Sequence, residues 1–80
     1  SGAVAYGFAH LSRAVEEGAV ETLVVLADLL RGEDGQRWQA MCEAVHELGG
    51  TIVQSSRDHD AGAQLDGLGG AVALTRYRVD

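Results

Sequence analysis

The chain has 80 residues, which is enough for one small domain with a single core and too few for two. Its twelve acidic residues outnumber six basic ones, all arginine, so free nucleic acid is not the expected main partner, because affinity for phosphate is built from clustered cations. The single cysteine, Cys42, cannot form an internal disulfide. No stretch approaches the roughly 18 consecutive apolar residues of a membrane-spanning helix. A soluble cytoplasmic chain is therefore predicted.

The first predicted elements are a short strand and a helix. After the extended start "AVAY", residues Phe8, Leu11 and Val15 recur at helical spacing. Gly18 is placed to end this helix, since glycine adopts the left-handed conformation without Cβ strain.

The next predicted element is a strand that is apolar on both faces. Within "TLVVL", Leu23 and Val25 point to one side and Val24 and Leu26 to the other. We therefore expect a central parallel strand with both faces covered, so that residues 23–26 lie between two layers of helices.

The second half of the chain alternates helices and strands. Asp34 is placed to cap a helix of about fourteen residues, whose apolar side carries Trp38, Met41, Cys42, Val45 and Leu48. The strand "TIVQS", a short helix around Leu65 and a final strand "AVALTRYRV" follow. Strands separated by helices predict an α/β domain with three α/β/α layers and a small, mostly parallel central sheet.

Charged residues follow two of the predicted strands. Asp28 comes just after the strand at 20–26, and Arg57, Asp58, His59 and Asp60 follow the strand at 51–55. If the two strands are parallel, these side chains gather at one edge of the sheet, where open α/β sheets bind ligands. Asp28, His59 and Asp60 could there serve a small metal-dependent nuclease or hydrolase. We favour a solvated loop without a metal, because residues adjacent in sequence cannot all point at one ion.

Two further patterns have a chemical and a structural interpretation. Arg76 and Arg78 flank Tyr77 on the last strand, an arrangement that can stack on a nucleic-acid base. Because the chain is acidic, we favour an ion-paired rim of the sheet instead. Cys42 and His46 lie four residues apart on the long helix, but a structural zinc site needs four ligands. We interpret this pair as a buried thiol beside an imidazole on the flank of the helix.

Four segments together resemble a known family. In this order, "AYG", "EEGAVETLVVLADLLR", "ELGGTIVQSS" and "GAQLDGLGGAVALTRYRV" resemble the C-terminal domain of the Pelota family, the archaeal and eukaryotic ribosome-rescue factors related to class I peptide-chain release factors. The release-factor branch usually inserts a small subdomain after the segment corresponding to "ADLLR". Here only "GEDGQ" follows, so the chain looks more like Pelota, with a release-factor domain as the alternative. Its lysine-free acidity is similar to that of haloarchaeal members.

The resemblance implies both a fold and a function. It implies that residues 1–80 are one domain similar to the third domain of these factors, an α/β/α sandwich of the kind found in ribosomal proteins that bind kinked RNA. Its expected role is a non-catalytic, cofactor-free and monomeric module that docks a translational GTPase and the ABC-type recycling ATPase in mRNA surveillance. The RNA cleavage ascribed to archaeal members would belong to their N-terminal domain. The candidate partner contacts are Asp28, Arg57, Asp58, His59 and Asp60, in loops expected at one sheet edge, together with Arg76 and Arg78 on the last strand.

Overall fold

The computed structural model describes residues 3–80, and within them the helices and strands follow the predicted order. The elements are β1 (Ala3–Tyr6), α1 (Phe8–Glu16), β2 (Val20–Leu26), α2 (Ala27–Arg31), α3 (Gly35–Glu47), β3 (Thr51–Ser55), α4 (Asp60–Gly67) and β4 (Ala71–Thr75). The short helix α2 was not predicted, and β4 ends at Thr75 rather than near the C-terminus. Gly18 ends the first helical segment with a positive φ of 68°, as predicted.

The strands form one mixed sheet with the order β1-β4-β2-β3. The α/β fold class is confirmed, but the sheet is not mostly parallel. Only β2 and β3 pair in parallel, whereas β4 runs antiparallel to both of its neighbours, β2 and β1. The eight-residue helix α4 is about 12 Å long. It is too short to carry the chain back along the sheet, so β4 starts beside the end of β2, where the backbone N–H of Leu26 donates to the carbonyl of Gly70 at 2.8 Å.

One face of the sheet forms the main core. Helices α1 and α3 cover this face, and Leu23 and Val25 of β2 are fully buried beneath them. The neighbouring positions of β4 are occupied by Ala71 and Ala73, whose small side chains let the helices approach the sheet closely. Phe8 of α1 meets Trp38 of α3 edge to face, with ring centroids 5.2 Å apart, and this contact joins the two helices.

The opposite face is covered at one end only. Leu26 and Leu65 are buried outside the main core cluster, where α4 packs against the end of β2. Farther along the same face, Val24 is only half-buried, and Val53 on β3 is 44% exposed. The prediction that residues 23–26 are enclosed on both sides is therefore wrong for Val24, because the short α4 does not extend over the whole second face.

Among residues 3–80, none of the helices combines the length and the apolar character needed to cross a membrane.

Candidate functional sites at two ends of the sheet

The first candidate site lies where β2 and β3 end. These strands are parallel, so Asp28 after β2 and Arg57 after β3 come together as predicted. Arg57 bridges two carboxylates: its Nη1 lies 3.2 Å from Oδ2 of Asp28, and its Nη2 lies 2.9 Å from Oδ1 of Asp66 on α4. Arg31 completes the group with a 2.7 Å contact from Nη2 to Oδ1 of Asp28. We call these four residues the Arg57 cluster.

The Arg57 cluster organises a loop without burying charge. The side chains of Arg57, Asp28 and Asp66 are 52%, 45% and 55% exposed, so water screens their interactions. An exposed pair contributes about 0.2–1 kcal/mol, and the shared guanidinium links the loop after β3 both to the end of β2 and to α4. Two arginines balance two aspartates, so the cluster is a neutral, hydrogen-bonded surface in an otherwise acidic domain.

The other predicted residues of this loop are exposed and point to no shared ligand. The backbone N–H of Asp58 donates to Oγ of Ser56 at 3.2 Å, His59 precedes α4 without a side-chain capping bond, and Asp60 lies in the first turn of α4. Asp60 is favourably placed there, since the N-terminus of a helix attracts negative charge. Within residues 3–80, no three His, Cys, Asp or Glu side chains are grouped so that they could hold a metal ion. The structure therefore does not bring Asp28, His59 and Asp60 together as the nuclease interpretation requires.

The second candidate site lies beyond β4. Arg76 donates from Nη1 to the carbonyl of Gly18 at 3.0 Å, and its backbone N–H donates to the carbonyl of Ala19 at 2.8 Å. The hydroxyl of Tyr77 lies 3.2 Å from Oε1 of Glu17. Arg78 makes a longer contact of 3.5 Å to Asp80, and both side chains are almost fully exposed. This rim is held mainly by hydrogen bonds, since Arg78 with Asp80 is the one ion pair among these contacts.

The ionisation of Tyr77 responds to this rim. Partial desolvation, the hydrogen bond to Glu17 and the negative charge of that carboxylate together raise the pKa of Tyr77, while the nearby Arg76 acts weakly in the other direction. A tyrosine phenol with its ordinary pKa of 10.0 is already protonated at neutral pH, so it can donate to Glu17 there, and the raised pKa extends this state to more alkaline pH.

The two candidate sites are at opposite ends of the sheet. Because β4 is antiparallel to β2, Arg76 lies beside the start of β2, whereas Asp28 follows its end. The seven residues of β2 span about 20 Å. Arg76 and Arg78, at the end of the last strand, therefore do not lie at the sheet edge that carries Asp28 and Arg57, because β4 runs antiparallel to β2.

A shallow groove between α1 and α3 is a further candidate that the sequence interpretation missed. It encloses about 310 Å³ and is lined by Phe8, Ser12, Val15, Glu16, Arg37, Ala40 and Met41. The guanidinium carbon of Arg37 lies 3.7 Å from the centroid of the Phe8 ring, a cation–π contact that keeps the arginine at the edge of the groove. The apolar spacing of α1 predicted the helix, but the groove depends on how closely α3 packs beside it.

Cys42 lies on α3 and packs against the main core. It is half-buried, and burial raises the pKa of its thiol, which lowers the fraction of reactive thiolate. This agrees with the interpretation of Cys42 as a packing residue.

Comparison with known proteins identifies the family of this fold. The family model described as eRF1 domain 3 matches residues 1–79. A protein pelota homolog of Thermococcus kodakarensis is 44% identical over 79 residues, which are 99% of this chain and 22% of that protein. A pelota homolog of Methanoculleus marisnigri is 38% identical over the same shares of both chains. The chain thus spans about a fifth of the curated relatives it matches.

Solved structures give the same relationship. The Pelota chain of a structure of ribosome-bound archaeal Pelota and ABCE1 matches 100% of this chain and 22% of its own, with 44% identity and a TM-score of 0.92. Pelota of Archaeoglobus fulgidus matches with 34% identity and a TM-score of 0.86, over 96% of this chain and 25% of its own. The archaeal translation termination factor aRF1 shares the fold at 23% identity and a TM-score of 0.72, over 92% and 20%. The chain therefore belongs to the eRF1 domain 3 family, and its resemblance to the C-terminal domain of Pelota proteins is confirmed.

Proposed function

We propose that this chain is a non-catalytic protein-binding domain of a Pelota-type ribosome-rescue factor that acts in the cytoplasm. The observation that carries the proposal is its agreement, over the whole chain, with the archaeal Pelota that is bound to the ribosome together with ABCE1. The chain is 44% identical to this Pelota with a TM-score of 0.92, but only 23% identical to aRF1 with a TM-score of 0.72. This difference favours the Pelota branch over the release-factor branch.

The proposed partners are the ABC-type recycling ATPase and a translational GTPase of the elongation-factor type. Support for the ATPase comes from the presence of ABCE1 with the similar Pelota protein on the ribosome. The GTPase is the partner that the family resemblance implies. Two partners fit a domain that presents two separate charged surfaces, one at each end of its sheet.

The candidate contacts are distributed over these two surfaces. Asp28, Arg57, Asp58, His59 and Asp60 belong to the end beside α4, where the exposed Arg57 cluster offers both charge signs. Arg76 and Arg78 belong to the other end, where the guanidinium of Arg78 is 89% exposed. Exposed arginines can exchange their weak internal pairs for partner carboxylates at small cost.

A docking role also agrees with the chemistry of the described residues. Asp28 is held by two arginines, and Tyr77 keeps its proton. Neither group is arranged as a base next to a nucleophile. Each of them stabilises a loop, which is what a rigid docking surface requires.

The proposal is tested by measuring how the domain binds the purified archaeal ATPase and GTPase. We expect weak binding of each partner to the isolated domain, because a small interface seldom binds tightly. Arg57→Ala with Asp58→Ala should weaken one partner, and Arg76→Ala with Arg78→Ala the other, each by about tenfold for a loss of about 1.4 kcal/mol.

Arg37→Ala is the matched control, because the guanidinium of Arg37 lies over the ring of Phe8 and belongs to neither of the two charged surfaces. If neither the domain nor the full-length factor binds either protein, the proposed function is wrong. If both partners respond equally to all variants, the assignment of two separate surfaces is wrong.

A further inference from the structure

The groove between α1 and α3 has an apolar floor and one charged side chain on each wall. Its α1 wall runs from Phe8 to Glu16, and its α3 wall carries Arg37, Ala40 and Met41. We call it the α1–α3 groove. It lies between the two helices, so neither of the two charged surfaces includes it.

Arg37 is a fixed cation without an oxygen partner. Its guanidinium lies over the ring of Phe8, and the edge-to-face contact with Trp38 holds that ring in place. Stacking uses the flat face of the guanidinium and leaves the N–H groups at its edge available. Among residues 3–80, Arg37 is the one arginine whose side chain forms no ion pair and no hydrogen bond, because the other five contact carboxylate or carbonyl oxygens. It therefore offers oriented donors to a carboxylate from another molecule.

Glu16 places the opposite charge at the other end of the groove. Helix α1 begins at Phe8, beside Arg37, and ends at Glu16, which is a rise of about 12 Å. In the part of the chain that the structure describes, the carboxylate of Glu16 takes part in none of the ion pairs or hydrogen bonds. The groove thus presents a positive end and a negative end with apolar surface between them.

The directions of α1 and α3 add to this polarity. Phe8 begins α1 and contacts Trp38 in the first turn of α3, so both helices start at the Arg37 end of the groove. The N-terminus of a helix carries a partial positive charge and attracts carboxylates. An occupant with one acidic and one basic end should therefore lie with its acidic end beside Arg37.

An amphipathic helix has this pattern of charge and apolar surface. Its residues at positions i, i+3, i+4 and i+7 share one side, and the rise from i to i+7 is about 10.5 Å, close to the spacing of the two charged ends. A second copy of the domain is a poor fit, because two identical concave grooves cannot fill each other and both domains carry a formal charge of −6.

We propose that the α1–α3 groove is a docking site for an amphipathic helix of a partner protein. A carboxylate in the first turn of that helix pairs with Arg37, its apolar side chains pack over Ala40 and Met41, and a cation about two turns later pairs with Glu16. This inference goes beyond the proposed function, because the site is separate from both charged surfaces. Substitutions at Arg37 should accordingly leave the binding of the ATPase and the GTPase unchanged.

The test measures the binding of a fluorescent helical peptide to the full-length factor by anisotropy. The probe peptide carries glutamate, two leucines and lysine at positions i, i+3, i+4 and i+7, and a second peptide has glutamine in place of the glutamate. We expect Arg37→Gln to weaken binding of the first peptide about fivefold, and the second peptide to bind the unaltered factor about fivefold more weakly than the first. The two changes together should also cost about fivefold, because both remove the same contact.

A second variant and a control separate the groove from general charge effects. Ala40 is exposed on α3, and Ala40→Leu fills the groove with a good helix former, so the domain stays folded while the first peptide binds at least about tenfold more weakly. Gln54→Glu is the matched control, because it changes the net charge by the same single unit as Arg37→Gln at an exposed position on β3 outside the groove. It should leave the affinity for the peptide unchanged.

Each contrary result overturns the inference. The groove is not such a site if the factor does not bind the first peptide, or if Gln54→Glu weakens binding as much as Arg37→Gln does. Independent, multiplying losses mean that Arg37 does not contact the glutamate. If the factor forms a dimer that Ala40→Leu dissociates, the occupant is a second copy. If Arg37→Gln weakens the ATPase or the GTPase, the groove belongs to the interface with that protein and is not a separate site.

Discussion

The two sides of β2 should respond very differently to the same substitution. Val25 and Val24 are adjacent valines on one strand, but Val25 is fully buried under α1 and α3, whereas Val24 is only partly buried on the opposite face of the sheet. Replacing each by alanine removes the same two methyl groups and the same strand preference, so the difference reports burial alone.

The magnitudes follow from this geometry. At about 0.8 kcal/mol for each buried carbon group, Val25→Ala loses about 1.6 kcal/mol of transfer free energy, and the cavity it leaves raises the loss to about 2–3 kcal/mol. Val24→Ala should lower the free energy of unfolding by only about 1 kcal/mol, since part of its surface is already wet and no closed cavity forms. A domain of this size has on the order of 4–12 kcal/mol in total, so Val25→Ala leaves a folded but weakened protein.

Urea unfolding followed by the fluorescence of Trp38, the one tryptophan, measures both values. With a slope of about 1 kcal/mol per molar urea, the midpoint should fall by about 2–3 M for Val25→Ala and by about 1 M for Val24→Ala. Equal shifts for the two variants would refute the reasoning, because they would mean that both faces of β2 are covered in the isolated domain.

Two further predictions concern local packing and ionisation. Gly62→Ala should strongly destabilise the domain, because a Cβ at position 62 would lie 1.7 Å from the carbonyl oxygen of Ser56. The control Gly67→Ala in the same helix meets nothing within 4 Å and should be neutral or stabilising by up to about 1 kcal/mol. Thermal unfolding compares the two variants, and equal melting temperatures would contradict the close approach of α4 to the Ser56 backbone. Glu17→Gln should lower the pKa of Tyr77, since it removes the carboxylate charge that opposes ionisation, and the ring resonances of Tyr77 in an NMR titration measure the shift. Because the pKa of Tyr77 is higher in the folded state, protonated Tyr77 contributes to stability below pH 10, and this contribution is lost as the pH rises through the folded pKa. If Tyr77 titrates identically in Glu17→Gln, Glu17 does not raise its pKa.

The candidate contacts show how far sequence patterns could locate a site. Asp28 and Arg57 were predicted to meet because each follows a strand, and the parallel pairing of β2 and β3 makes this correct. Arg76 was predicted on the last strand without a position relative to that edge, and the structure places it at the opposite end because β4 runs antiparallel to β2. Asp66, which completes the bridge through Arg57, carried no sequence signal, since it is one acidic residue on the polar side of a short helix.

The sequence by itself determined the local elements and the family. Helical spacing in α1, the apolar run of β2 and the positions of the glycines specify these elements, although not α2, because they act through neighbouring residues along the chain. Only the tertiary structure decided the direction of β4, the separation of the charged surfaces and the exposure of one face of the sheet. These features depend on contacts between residues far apart in sequence and on the limited length of α4, and an apolar side chain does not reveal in advance which element will cover it.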